Sequence, residues 1–281
     1  MVQFNIPDPQ SIMDYCPDAY NILIYGKNGS GKTEFAATWA EAGNVLYLDS
    51  DNGILTIKAS SRIPLEYKHR IKRVLVFDKS ADPHIKIPVG YSIVKSVFDS
   101  LVTTGEFGGF KPVTVVVDSA TTLTEYTLRH VLTSNRKAPD AKPTQPDWGD
   151  LQNLTRGLIN AGRALPSVNF IWIAHEKFDK DELSGRTWCL PLMVGQLAQQ
   201  IGGYFDEVYH TDVFQVGTSH EYKMDTKATG LITAKSRLDL PSPIPTHYRS
   251  IKGSLEKLQQ KGGLNTTSNQ SLIGSGVVKS T

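Results

Sequence analysis

Eight consecutive residues, Gly26-Lys27-Asn28-Gly29-Ser30-Gly31-Lys32-Thr33, constrain this chain more than any other stretch. They match G-x-x-x-x-G-K-[ST] at every fixed position. The apolar run Tyr20 to Tyr25 before them reads as a buried strand. Glu34 to Ala42 after them reads as a helix ended by Gly43. A strand that turns through glycines into a helix aims backbone N–H groups inward as an anion nest. The outgoing helix adds the positive end of its dipole. In such a loop Lys32 reaches the β- and γ-phosphates of a nucleoside triphosphate, and the Thr33 hydroxyl coordinates Mg2+.

The other apolar runs point to the fold. Val45 to Leu48, Val74 to Phe77, Val113 to Val117 and Val168 to Ala174 read as strands. Their uninterrupted Val, Ile and Leu character means burial on both faces, as in a parallel sheet. Helical patterns over Ala120 to Leu132 and Asp150 to Leu165 alternate with them, which gives an α/β sheet with helices on both faces. After Leu192 the pattern changes. A helix near Val194 to Ile201 precedes closely spaced segments at Glu207 to Phe214, Glu221 to Asp225 and Leu231 to Lys235, which read as antiparallel strands. The chain thus divides into an extension over 1–19, a core over 20–250, a helix over 251–261 and a flexible tail over 262–281. The tail is rich in Gly, Ser, Thr and Asn, which cannot bury a core.

Composition excludes several alternatives. With 281 residues the chain buries a sizeable core without staples. Cys16 and Cys189 lie far apart and read as space-filling in a reducing cytoplasm, making neither a disulfide framework nor a zinc site. No signal peptide is visible, and no apolar stretch approaches the ~18 residues of a membrane span. A soluble, cytoplasmic protein is expected. Net charge is only +2, so any affinity for nucleic acid must come from local patches.

Acidic residues at strand ends complete the phosphate chemistry. The fourth strand runs into Asp118-Ser119, the Walker B pattern of apolar residues followed by a carboxylate that supports Mg2+. The second strand ends Leu48-Asp49-Ser50-Asp51. Either carboxylate can orient the attacking water, with Asp51 further toward the ligand edge; alternatively the pair caps the Asn52-Gly53 turn. The fifth strand ends Ala174-His175-Glu176, where a polar side chain can sense the γ-phosphate. Lys68, His69, Arg70, Lys72 and Arg73 read as a solvated helix face.

Together these residues resemble the RecA-like P-loop ATPase core, and most closely the short bacteriophage RecA-like proteins of the single-strand annealing group. Gly26–Thr33, Leu46–Gly53, Val115–Leu123, Ile171–Lys177, Gly195–Asp212 and Gly230–Leu240 carry the resemblance. It implies ATP as the nucleotide, with Mg2+. It puts Asp51 at the water-activating acidic position, shorter than the usual Glu, and His175 at the position usually held by a γ-phosphate-sensing Gln. Lys235-Ser236-Arg237 looks like the Lys-x-Arg pair that related ring ATPases insert into a neighbour's site. A homo-oligomeric ring or filament, acting in the host cytoplasm in phage recombination or annealing, is what the resemblance implies. A single-strand DNA-binding protein is a further candidate partner.

In that family two loops face DNA. The first corresponds to Ser134 to Gly149, with Arg136, Lys137, Lys142 and Trp148. The second corresponds to Glu176 to Thr187, with Lys177, Phe178, Lys180 and Arg186. Cations interleaved with aromatics suit single strands, the cations tracking phosphates while rings stack on bases. Asp179, Asp181 and Glu182 oppose this in the second loop, which also reads as a plain hairpin turning at Ser184-Gly185. Other functions open to such a chain are a ring helicase, a packaging motor subunit, or a nucleotide-gated interaction module with little hydrolysis.

Overall fold

A computed structural model describes residues 17–78, 87–180, 182 and 185–257. The flexible-tail reading, most of the N-terminal extension and Cys16 lie outside these residues. Nine strands form one sheet. They are β1 Asn21–Gly26, β2 Val45–Asp49, β3 Ile71–Leu75, β4 Thr114–Asp118, β5 Asn169–Lys180, β6 Thr187–Pro191, β7 Glu207–Val216, β8 Ser219–Asp225 and β9 Ile244–Pro245. The spatial order is β3-β2-β4-β5-β1-β7-β8-β9, with β6 paired to the far end of β5. From β3 to β7 every neighbour is parallel, whereas β6, β8 and β9 are antiparallel additions.

Period-two alternation sends the side chains of each central strand to opposite faces. Leu23 and Tyr25 of β1, Val115 and Val117 of β4, and Phe170 and Trp172 of β5 enter one core. The helices α4 Gly90–Thr104, α5 Ala120–Ser134 and α6 Gln145–Arg163 cover it. Ile22, Ile24, Val116, Ile171 and Ile173 enter the other core, under α1 Lys32–Thr38 with its 3-10 extension Trp39–Glu41. The short helices α2 Ile54–Ala59 and α3 Leu65–Lys68 follow β2, and α7 Leu197–Gln200 precedes β7. A last helix, α8, covers residues 249–257 and packs Ile251 and Leu255 onto the second core.

The structure corrects several expectations. The third strand is Ile71–Leu75, starting three residues before Val74 and ending two before Phe77, because it registers with Val45–Asp49. As a sheet edge it carries Lys72 and Arg73 outward, so the basic run ends on a strand rather than a helix face. Helix α4 was not anticipated. Helix α6 starts at Gln145, with Pro146 in its first turn, where a missing N–H costs nothing. The segment Leu231 to Lys235 forms only single bridges, Ile232 to Cys189 and Lys235 to Val208.

Candidate active site

β1 delivers its last residue, Gly26, between His175 of β5 and Thr211 of β7. Gly26 has φ 153°, and a Cβ there would stand 2.3 Å from the Thr211 carbonyl oxygen. Gly29 and Gly31 take the left-handed conformation, at φ 75° and 87°. Ser30 holds the loop shut. Its hydroxyl donates to the Lys27 carbonyl at 2.8 Å and shares a 2.6 Å hydrogen bond with Thr211 Oγ1. Gly26→Ala is therefore expected to destabilise the fold by about 2–5 kcal/mol, combining strain with overpacking. Chemical denaturation reads this directly, and a variant within ~0.5 kcal/mol of wild type would contradict the tight contact.

Lys32 is 6% exposed. Its ammonium donates to the carbonyls of Gly26 at 2.8 Å and Lys27 at 2.6 Å. Burial pushes its pKa down to about 8, against the pull of Asp118. Next to it, the Thr33 hydroxyl donates to Asp118 Oδ2 at 2.7 Å. Asp118 ends β4 and is buried. Burial, with Asp51 and Asp49 adding to it, pushes Asp118 up to about 6, against the Thr33 hydrogen bond and the Lys32 charge.

This makes the Asp118 charge a burden on the folded chain. The native carboxyl keeps its proton up to about pH 6, whereas an unfolded Asp releases it near pH 4. Stability linked to Asp118 is thus full below about pH 4 and falls as pH rises through 6. Asp118→Asn is expected to stabilise the nucleotide-free protein at about pH 7 by roughly 1–3 kcal/mol, with little gain near pH 4. Thermal midpoints at both values check it. A midpoint lowered at neutral pH would count against a strained charge.

The two acidic residues ending β2 separate into different tasks. Asp49 is buried, 2.8 Å from Arg73 Nε, and accepts from the Gly53 amide at 3.0 Å. It caps the Asn52-Gly53 turn. Asp51 instead reaches the cavity, accepting from the Thr122 hydroxyl and lying 3.2 Å from His175 Nε2. Burial pushes Asp51 up, but hydrogen bonds from His175, Thr122 and Ser119 outweigh it and leave the carboxyl lowered. His175 Nδ1 is buried with no hydrogen-bond partner among the described residues, which favours the tautomer with its proton on Nε2, donated to Asp51.

A cavity of about 310 Å³ joins these groups: the loop from Asn28 to Thr33, Asp51, Asp118, His175 and Tyr222. Its donors suit a triphosphate with a hard cation: backbone N–H groups, one ammonium, and hydroxyl and carboxylate oxygens. Tyr222 escaped the sequence reading. It arrives on β8, its ring 3.0 Å from where a Cβ on Gly31 would sit, and the Arg62 guanidinium lies 4.8 Å from the ring centroid. Nothing local in the sequence marks Tyr222, because strand pairing far along the chain brings it here.

The remaining predicted residues lie elsewhere. Lys235 and Arg237 sit by the start of β7, where Arg237 pairs with Asp206 at 2.7 Å and its amide donates to Glu207 at 2.8 Å. The expected first loop shrinks to residues 135–144. Arg136 and Lys142 are exposed there, but Lys137 is held 2.5 Å from buried Asp147. Lys137 and the Thr144 amide hold the Asp147 carboxyl well below the usual range. Trp148 is in α6, with its ring against Gly195. The expected second loop is mostly the β5–β6 hairpin. Lys177, Phe178 and Lys180 belong to β5, and Arg186 lies 5.3 Å from the centroid of the Trp188 ring. Ser184 of the expected turn lies outside the described residues.

No curated protein matches the sequence. Among solved structures, the flagellar accessory protein FlaH of Methanocaldococcus jannaschii is 12% identical at TM-score 0.40, over 75% of this chain and 78% of that one. A KaiC-like protein of Pyrococcus horikoshii is 12% identical at TM-score 0.40, over 75% and 79%. A type III secretion system ATPase of pathogenic bacteria is 13% identical at TM-score 0.43, over 69% of this chain and 52% of that one. Among the described residues no helix is long and apolar enough to cross a membrane. A family profile described as AAA domain matches residues 18–238, so the chain belongs to the AAA domain family of P-loop ATPases.

Proposed function

We propose that this protein is a Mg2+-dependent ATPase that binds single-stranded DNA, works as a ring or filament, and promotes phage DNA recombination or strand annealing. The observation that carries the hydrolytic part is the 2.7 Å contact between Thr33 and Asp118 beside buried Lys32, with Asp51 and His175 facing the same cavity. Lys32 would leave its loop carbonyls for the β- and γ-phosphates. Asp51, with His175 fixing its orientation, would position the attacking water. Thr33 and Asp118 would hold Mg2+, which supplies charge neutralisation at the phosphates when bound. No covalent intermediate is required.

Support for the DNA part lies in the β5–β6 hairpin. It continues the strand that carries His175 and presents Phe178, 58% exposed, among Lys177, Lys180 and Arg186. An exposed aromatic ring between two lysines suits base stacking, with Asp179 on the same strand opposing phosphate contact. Phe178→Ala is expected to weaken binding of an oligothymidine by about 1–3 kcal/mol, roughly 5- to 150-fold, without changing ATP affinity. Fluorescence anisotropy measures it, and unchanged DNA affinity would remove the hairpin from the interface.

The central test is ATP turnover with and without single-stranded DNA. Turnover raised by DNA is the expected result. Turnover indifferent to DNA sinks the recombination reading, and none under either condition sinks the ATPase reading. A second reading, a nucleotide-gated module with slow hydrolysis, is favoured by Asp51 already being engaged by Thr122 and His175. Tight ATP binding with negligible turnover would select it.

A further inference from the structure

The sequence pattern left Cys189 as a space-filling residue and did not single out His210. In the fold they meet Glu176 on the other side of the sheet edge from the phosphate loop's helix. Glu176 comes from β5, Cys189 from β6 and His210 from β7. Their carboxylate oxygen, thiol sulfur and ring nitrogen all lie within 4.8 Å of one another. Cys189 Sγ is 3.5 Å from Glu176 Oε2, and His210 Nε2 is 2.8 Å from the same oxygen. Cys189 is 1% exposed and His210 4%.

We propose that Glu176, Cys189 and His210 bind one zinc-class divalent cation. Zinc bonds of about 2.0–2.3 Å at tetrahedral angles put ligand atoms about 3.4–3.6 Å apart. The Cys189–Glu176 separation already fits, and the His210–Glu176 contact needs to open by roughly half an ångström. Three protein donors leave the fourth position for water. A thiolate and an imidazole select a soft or borderline ion over Mg2+. On binding such an ion the thiol would release its proton to the buffer and coordinate as a thiolate.

The far side of the imidazole supports the assignment. His210 Nδ1 is buried with no hydrogen-bond partner among the described residues, and Asp225 Oδ2 lies 3.5 Å from it. In the metal-free chain the 2.8 Å contact with Glu176 keeps the proton on Nε2; a cation at Nε2 would shift it to Nδ1, where Asp225 stands close enough to accept it. Tyr25 packs edge-on against the same ring, with centroids 5.1 Å apart, and so fixes its plane. The ion would tie β5, β6 and β7 together across β1, immediately behind Gly26. The site does not depend on the nucleotide reading.

The test is a Co2+ titration of the nucleotide-free full chain. Expected is a thiolate-to-cobalt charge-transfer band that saturates at about one ion per chain, is displaced by Zn2+ and survives excess Mg2+. Cys16→Ser keeps the band and Cys189→Ser loses it. Asp225→Asn keeps the band but weakens Co2+ affinity about 10- to 100-fold. The wild-type titration is decisive even if a variant misfolds: absence of a band overturns the proposal. A band that is lost in Cys16→Ser, or removed by excess Mg2+, also overturns it.

Discussion

Arg237→Ala is expected to lower kcat about 10³- to 10⁵-fold, the range measured for arginines supplied to a phosphoryl-transfer site by a neighbour. The reason is position. Arg237 is tied to Asp206 and Glu207, and Glu207 registers with Ile22 at the entry of β1. The phosphate loop leaves β1 at its other end, Gly26. Four strand residues at about 3.3 Å each place the two roughly 13 Å apart along the sheet. An Arg237 engaged at the entry end is far from its own phosphates, so under the proposed ring or filament its catalytic contribution would go to a second copy. Its ion pair with Asp206 is no obstacle, since the Arg237 side chain is 65% exposed and such pairs contribute only about 0–1 kcal/mol. Mixing Arg237→Ala with a Lys32→Ala protein that retains Arg237 should restore turnover. A mixture as inactive as its parts would refute the assignment between subunits.

Lys32→Ala is expected to lower kcat about 10²- to 10³-fold and to weaken ATP binding, as for other single groups that stabilise transition-state charge. Steady-state turnover and equilibrium nucleotide titration separate the two effects. The same residue predicts a pH dependence. Because burial lowers its pKa to about 8, the ammonium of the free protein is lost as pH rises through that value. Nucleotide affinity should therefore fall above about pH 8 in wild type, and the Lys32→Ala protein should lack that step. A wild-type affinity flat between about pH 7 and 9 would argue that Lys32 does not contact phosphate.

What the sequence made legible was local chemistry. Gly26 to Thr33 is contiguous, and each glycine is demanded by its own backbone angles, so the motif carries its geometry with it. Asp118 was legible because a buried apolar strand ends on it. The central parallel strands were legible for the same reason. The misreadings share a different cause. Pro146 looked like a loop residue, although the first turn of a helix accepts it, and the capping pair Thr144 and Asp147 was the available signal. The edge strand β3 was misplaced because only one neighbour fixes its register. The sequence put Asp51 nearer the ligand edge but left the task of Asp49 open, since Arg73, which claims Asp49, comes from that edge strand. Tyr222 and the meeting of Glu176, Cys189 and His210 depend on long-range strand order, which no spacing along the chain encodes.

The unusual length of β5 has a mechanical consequence. The strand runs without a break from Asn169 to Lys180, through His175 in the cavity and on to Phe178 in the hairpin. About 10 Å of continuous extended backbone joins those two side chains. β6 braces its outer half from Glu176 onward. Such a segment contains no glycine or proline at which to flex. A tilt imposed at His175 by whatever occupies the cavity would arrive at Phe178 undiminished, as at the far end of a stiff lever.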